Sequence, residues 1–561
     1  MSLGTTPNIV ILLADDLGFS DIGCYGSEIR TPHLDALARD GVTMSSFYNT
    51  ARCSPSRASL LTGLDPHQTG IGILTGDTRP AGYSGDLDPR CPTLAELLRE
   101  SGYLTSVIGK WHLARDVRRP NAAWPTRRGF DTHWGPLGGA CSYFEPTTMA
   151  SGEHVIEVDD DDFYLTEELG VRASRTVHDA AQEQRPFFLY LPFTAPHWPL
   201  HARPEEIASY DGIYSRGWDE VRAGRLRAMG ELGVFGDRSP PLSDRDDDVP
   251  SWDDVADADW QALRMQVYAA QVSAMDTAIG QVVQALEETA QRANTLIMFL
   301  SDNGGCAEEI PPGWADEMSP RPYNVPGRTR GGQRVRKGNA PSVVPGGRAS
   351  FASYGKPWAN VSNTPFREYK HWVHEGGIST PLIAHWPDGG LEHGWDHSPH
   401  QLTDIVPTVL EAVGRPDARK PVESAEHVDV VERRGCSMLP SWRDRQRAPD
   451  DHPLFFEHEG NAAIRHGRWK GVRKHGEPWE LYDLANDRTE TRDLAAAEPG
   501  ILSELTSAWT DWALRCGVRD RSAILAQRTD RRGRGLIQDF HSAVASTDAS
   551  DTAHRRAEKR T

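Results

Sequence analysis

Four places in the chain put chemically capable residues directly after an apolar run. Ile9 to Ala14 lead into Asp15 and Asp16, residues 104–108 into Lys110 and His112, residues 187–193 into His197, and residues 296–300 into Asp302 and Asn303. Three carboxylates and one amide carbonyl are hard oxygen donors, suited to Ca2+ or Mg2+ and not to a soft metal. Two imidazoles and an ammonium beside them supply proton transfer and anion binding. Each piece alone has a plainer reading, such as a helix-capping Asp-Asp turn or a structural histidine. Their shared placement is what points to a metal-dependent site. Cys53 adds a nucleophile candidate, with Arg57 close behind. A cysteine phosphatase needs five residues between Cys and Arg to wrap a phosphate; here there are three, which excludes that chemistry.

Such residues need a scaffold that gathers strand ends. In open α/β sheets the ligand crevice lies beyond the carboxyl ends of the strands. The aliphatic run at 9–13, bounded by two acids, predicts a strand buried on both faces. Thr31 and Pro32 read as N-cap and first residue of a helix with Leu34, Leu37 and Ala38 on one face, stopped by Gly41. Residues 92–100 repeat the pattern, with Leu94, Leu97 and Leu98 inward and Gly102 as cap. Across 260–290, Leu263, Val267, Ala270, Ala274, Ala278, Val282 and Leu286 predict a long helix packed closely on a sheet. With a further strand at 382–384, the alternation predicts an α/β fold: a large mostly parallel or mixed sheet sandwiched by helices. Beyond about 450 the texture changes to short strands at 454–456, 462–465, 469–472 and 480–484, then a helix over 501–514. These predict a smaller C-terminal α+β subdomain with a short antiparallel sheet. The expected division is 1–449, 450–518 and a polar, disordered tail over 519–561. Residues 304–356 read as a long surface loop, and the acidic runs at 159–162 and 246–248 as solvated loops, with cation binding the less favoured alternative.

Composition narrows the partners. Acids outnumber bases 80 to 61 over 561 residues, a formal net charge of −19. That argues against a nucleic-acid or anionic-membrane partner, while a local basic pocket could still grip an anion. Seven scattered cysteines without a C-x-x-C pair argue against a disulfide framework or a zinc knuckle. The apolar stretch at 8–14 is too short to span a bilayer, and no basic segment or cleavage site flanks it. The expectation is a cytoplasmic protein, or a periplasmic or secreted one if a leader has been removed.

The run Cys53-Ser54-Pro55-Ser56-Arg57, continuing to Leu60-Leu61-Thr62-Gly63, resembles the C-x-P-S-R signature of the formylglycine-dependent type I sulfatases, in the alkaline-phosphatase-like superfamily. Further blocks are similar in the family order: residues 7–18, Gly109-Lys110-Trp111-His112, Ala195-Pro196-His197-Trp198-Pro199, Ser301-Asp302-Asn303-Gly304, and residues 365–370 leading to Glu375-Gly376-Gly377. Glu480-Leu481-Tyr482-Asp483-Leu484 is similar to the family's C-terminal subdomain. The resemblance spans about residues 7–515 and looks closest to the bacterial arylsulfatase branch.

The resemblance implies hydrolysis of a small-molecule or carbohydrate sulfate monoester through a covalent sulfoenzyme hemiacetal. Cys53 would be oxidised to formylglycine by a maturation enzyme acting on residues 53–57. Asp15, Asp16, Asp302 and Asn303 would hold Ca2+, or Mg2+, with an oxygen of modified Cys53. Arg57 would stabilise the nucleophile, and Lys110 and Lys370 would neutralise the sulfate oxygens. His197 would assist the leaving oxygen and His112 would act as the base that opens the hemiacetal. The plainer alternative for Arg57 and Lys110 is an ion pair with Asp15 or Asp302, and for His197 a core histidine. His371, His374 and His385 stay unassigned. Two rival functions are a phosphonate monoester or phosphodiester hydrolase of the same superfamily and a non-catalytic sulfate-ester-binding homologue with unmodified Cys53. The Asn at 303 and the second Asp at 16 favour the sulfatase over the first rival. Trp111, Trp134, Tyr143 and Trp198 are candidates to stack on an aryl ring or sugar face. Arg328, Arg330, Arg334 and Arg336 are placed to shape the pocket mouth or to bind additional sulfates, or else to sit on a solvated insertion.

Overall fold

The structure, a computed structural model, describes residues 6–237, 239–310, 326–416, 433–444 and 452–532. In chain order the first strands are β1 (Asn8–Asp15), β2 (Val42–Tyr48), β3 (Leu104–Ile108), β4 (Thr132–Pro136), β5 (Met149–Ser151), β6 (His154–Val155), β7 (Phe187–Pro196) and β8 (Thr295–Ser301). A separate pair follows, β9 (Arg336–Lys337) and β10 (Ser350–Phe351), then β11 (Ser379–His385), β12 (Gly394–Asp396) and β13 (His400–Gln401). The large sheet runs β12-β2-β11-β8-β1-β7-β3-β4-β5-β6, with β13 also beside β2. Its four central strands β8, β1, β7 and β3 are consecutive and parallel. These are the strands that lead into Asp302, Asp15, His197 and Lys110. β11 runs antiparallel between β8 and β2, so β2 points the same way as the central four and ends on the same edge, shortly before Cys53.

Burial on both faces explains the unbroken apolar runs of the central strands. Val10, Leu12 and Ala14 enter one core with the helices Leu165–Glu183 and Ala258–Glu288. Ile9, Ile11 and Leu13 enter the other, with the helices Cys53–Thr62 and Ile405–Ala412. β8 divides in the same way, Ile297 and Phe299 from Leu296, Met298 and Leu300. The long helix packs against the helix Leu165–Glu183 as well as against β7, and of its expected stripe only Leu263 stays half-buried.

The C-terminal sheet is a meander of β14 (Leu454–His458), β15 (Asn461–His466), β16 (Trp469–Arg473) and β17 (Glu480–Asp483). One face, with Phe456, Ala463, Val472 and Tyr482, packs on Tyr48, Ala51, Val373 and Ile378 beside the central edge. The other, with Phe455, Ile464 and Leu481, packs on the helix Pro499–Cys516. Two expectations need correction. The polar tail begins with a helix, Arg521–Arg532, whose Ile524 packs on Ile73 and Tyr83; residues 533–561 lie outside the described residues. The loop over 304–356 contains β9, β10 and the start of the helix Gly355–Ser362, and residues 311–325 lie outside the described residues. The acidic runs are solvated as expected, Asp161 and Asp162 being almost fully exposed while pairing with Arg330 and Arg203, and Asp248 with Lys356. No helix among the described residues is long and apolar enough to cross a membrane.

Candidate active site

The carboxyl edge of β8, β1, β7 and β3 holds a buried cluster of ionisable and polar side chains. The backbone N–H of Asp16 donates to Asp302 Oδ1 at 3.2 Å, tying the ends of β1 and β8 together. Asn303 Nδ2 donates to Asp16 Oδ1 at 2.8 Å. Arg57, on the first turns of the helix Cys53–Thr62, donates from Nε and Nη2 to Asp302 Oδ2 at 3.0 and 2.7 Å, and from Nη1 to the Lys110 carbonyl at 2.9 Å. Lys110 Nζ reaches Asp15 Oδ2 at 2.5 Å. Gly109 makes that reach possible, because at φ 135° its backbone passes Pro192 so closely that a Cβ would lie 2.1 Å from the Pro192 carbonyl oxygen. Lys370 Nζ lies 2.8 Å from Asp16 Oδ2 and 3.3 Å from His197 Nε2. His112 Nδ1 lies 3.5 Å from Cys53 Sγ at the start of the helix. The structure thus brings together Asp15, Asp16, Cys53, Arg57, Lys110, His112, His197, Asp302, Asn303 and Lys370. The plainer alternative for Arg57 and Lys110 is also realised, since each is ion-paired with a carboxylate of the cluster.

The electrostatics of the cluster follow from burial and from the opposed charges within it. Burial alone would raise the Asp16 carboxyl, but His197 and Lys370 hold it well below the usual range. Asp302 is raised by burial and by Asp15, with Arg57 and Lys110 pulling the other way. Burial lifts the Cys53 thiol above its ordinary value despite Lys110 and Lys370, with Asp15 and Asp302 adding to the rise. It therefore stays protonated, a poor nucleophile as it stands. Burial, then Lys110 and Arg57, pushes His112 well below its usual range, so it is neutral, the state a base requires. His197 is pushed down to about 3 by burial, with Asp16 opposing and Lys370 and Lys110 adding to the fall. Two buried oxygens, Asp15 Oδ1 and Asn303 Oδ1, have no hydrogen-bond partner. Left so they carry an uncompensated desolvation cost, and a divalent cation among hard oxygen donors would remove it. The residues present fit such an ion, and ligand atoms of Asp15, Asp16 and His197 lie within 4.8 Å of one another.

Of the aromatic candidates, Trp111, Trp134 and Tyr143 are buried packing residues. The Tyr143 hydroxyl sits 2.7 Å from the Thr194 carbonyl and 2.8 Å from that of His197, so it braces the His197 turn. Only Trp198 of the four keeps accessible surface beside the site. Arg330 is bound to the 158–161 segment and to Glu145, and Arg328 to the Gly332 carbonyl, so neither lies free at a pocket mouth. His374 bonds Glu480. Sequence reasoning overlooks Glu308, whose carboxylate accepts from Arg52 at 2.7 Å and from the Trp198 indole at 3.2 Å. An acid of the Glu308-Glu309 pair, in a segment without periodicity, carries no signal beyond its nearness to Asn303.

The large mixed sheet thus carries at its carboxyl edge a buried carboxylate cluster able to hold a divalent cation, beside a Cys-headed helix. The Sulfatase family model matches residues 7–415, and the chain belongs to that family. It is 33% identical to an uncharacterised sulfatase of Schizosaccharomyces pombe over 545 residues, covering 91% of this chain and 94% of that protein. It is 34% identical to an arylsulfatase of Klebsiella aerogenes over 445 residues, covering 74% of this chain and 89% of that one. The crystal structure of Ps i-CgsB matches with a TM-score of 0.64 and 25% identity, covering 91% of this chain and 93% of that one. Sulfuric ester hydrolysis is the activity this membership carries.

Proposed function

We propose that the protein cleaves sulfate monoesters, aryl or carbohydrate, with a formylglycine formed from Cys53 as nucleophile and Ca2+ as its metal. The observation that carries this is the pair of partnerless buried oxygens on Asp15 and Asn303, in one cluster with Asp16 and Asp302 and facing the Cys-x-Pro-Ser-Arg helix. Asp15, Asp16, Asp302 and Asn303 would hold the ion. When present, the ion and the hydrated aldehyde supply Lewis acidity, an acidified hydroxyl and a second hydroxyl for releasing sulfate. The rest is done by the side chains in place. Lys110 and Lys370 are positioned to neutralise charge on the sulfate oxygens. Arg57 spans Asp302 and the Lys110 carbonyl and so fixes the helix that carries residue 53. Neutral His112 is placed to take a proton from residue 53. His197 holds the Trp198 carbonyl through Nδ1 at 2.6 Å, which leaves Nε2 facing Lys370 and Asp16 as the atom that serves the leaving oxygen. It must gain a proton to do so: Asp16 at 3.3 Å favours the imidazolium, while burial, Lys370 and Lys110 outweigh it and keep the resting side chain neutral. Comparing kcat/KM on 4-nitrophenyl sulfate and on a phenylphosphonate monoester tests the reading. The sulfate should be the better substrate, and a preference for the phosphonate would replace this reading with its rival.

A further inference from the structure

We propose that Lys470, on the C-terminal meander, is a positioning residue for the reaction: with Glu490 it fixes Glu375, and Glu375, through Gly376 and Gly377, sets where Lys370 stands. This rests on the sulfate-ester reading above, in which Lys370 meets the sulfate. Side chains alternate along β16, so Lys470 shares a face with Val472, the apolar face that packs on Tyr48, Val373 and Ile378. A lysine there breaks the binary pattern, and its side chain is fully buried. Lys470 Nζ donates to Glu375 Oε1 at 2.8 Å and lies 2.7 Å from Glu490 Oε1, both carboxylates being as buried as the ammonium. Glu490 Oε2 accepts from the Glu375 backbone N–H at 2.9 Å. Glu375 Oε2 accepts from the Tyr48 hydroxyl at 3.0 Å and pairs with Arg488. Glu375 is thereby held at its carboxylate and at its backbone.

Glu375 leads directly into the support of the Lys370 segment. The Gly376 N–H donates to the Arg367 carbonyl at 3.0 Å, and the Gly377 carbonyl accepts from the Gly304 N–H at 3.0 Å, next to Asn303. The packing leaves no slack. A Cβ on Gly376 would lie 2.2 Å from the Glu368 carbonyl oxygen, and one on Gly377 would lie 2.4 Å from that of Tyr369. Lys370 therefore rides on the two glycines, and its own N–H donates to the Gly305 carbonyl at 3.1 Å. The meander also grips the start of the segment, where Arg367 Nη2 donates to Glu480 Oε2 at 2.9 Å. Well-packed apolar side chains could fill such an interface at equal stability. What the buried charges add is one fixed position for Glu375.

A double-mutant cycle with Lys370 tests this, read as kcat/KM on 4-nitrophenyl sulfate with Ca2+-loaded protein well below its Tm. Lys470→Met should lower kcat/KM about tenfold to a hundredfold. Glu375→Gln keeps the side-chain volume, so it serves where Lys470→Met does not fold, and should cost about tenfold or more. In a Lys370→Met background either change should cost no more than about twofold further. Calorimetric binding of inorganic sulfate should follow the same pattern. Glu457→Gln breaks another buried pair that the meander makes, with His67 at 2.6 Å, and should lower Tm while leaving kcat/KM unchanged. A full multiplicative loss in the Lys370→Met background overturns the positioning role. So does an unchanged rate in variants that only melt earlier, or a Glu457→Gln protein that loses as much rate. A wild-type protein that neither turns over 4-nitrophenyl sulfate nor binds sulfate overturns the sulfate-ester reading itself, and this proposal with it.

Discussion

Arg57 and Lys110 are buried cations whose partners, Asp302 and Asp15, are also among the residues that would hold a metal. Removing one member of a buried pair costs more than the pair contributes, because a charge is left behind. This ties metal binding to stability. Chelating the metal should lower Tm and abolish sulfate release, and restoring Ca2+ at a hundred times its Kd should recover about 2.7 kcal/mol. Thermal melts with and without chelator check this, and identical melts would remove the metal from the account. His197 gives a second prediction. His197→Asn should lower kcat about 10²- to 10⁴-fold on an alkyl or sugar sulfate, and less on 4-nitrophenyl sulfate, whose leaving oxygen needs little protonation. An equal loss on both would assign His197 to binding. Asp15, Asp16, Lys110, His112, His197, Asp302 and Asn303 were legible as candidates because they follow apolar strands, whereas Cys53, Arg57 and Lys370 were legible only through the sulfatase-like blocks. Glu308 was not, since its meaning lies in two partners distant in sequence, Arg52 and Trp198.

At the scale of elements, the turn after β3 sets where Lys110 points. Gly109→Ala must move either the turn or the Pro192 carbonyl, which its Cβ would otherwise meet at 2.1 Å. We expect a loss of about 1–3 kcal/mol in stability and of about 10²-fold in kcat/KM, because a shift of about 1 Å in a positioned group can cost that much. Gly102→Ala, at φ 85° but with nothing within 4 Å of its Cβ, should cost some stability and leave the rate intact. Comparing melts and rates for the two separates positioning from backbone strain. The central strands were legible as aliphatic runs, whereas β2 was not. Thr43, Ser45 and Ser46 give β2 the look of a half-exposed strand, yet all three are buried between β11 and the short strands β12 and β13. The helix Arg521–Arg532 escaped notice because Ile524 is its one buried apolar residue among the described side chains.

The whole molecule carries an acid sensitivity apart from its chemistry. Burial pushes His133 and His201 each down to about 4, so they fold neutral. Unfolded, they would protonate near 6.5. Between about 6.5 and 4 the unfolded state therefore holds more protons, and stability must fall as pH falls through that window. The loss is at most about 1.4 kcal/mol per pH unit for each group. Tm followed from pH 7 to 4 should drop, and His133→Phe should flatten part of the slope; an unchanged slope would clear His133 of the effect. At this scale the division between the large sheet and the C-terminal meander was legible as a change in strand spacing. The way the meander packs on Tyr48 and Ile378 was not, because it depends on which faces meet. The claim at the centre of the account is that residue 53 acts as an aldehyde and not as a thiol. The mass of the proteolytic peptide spanning Cys53, taken from protein that turns over an aryl sulfate, tests it most directly. The account predicts a peptide lighter by the difference between thiol and aldehyde, in proportion to specific activity. A fully active protein with an intact thiol at position 53 would contradict it.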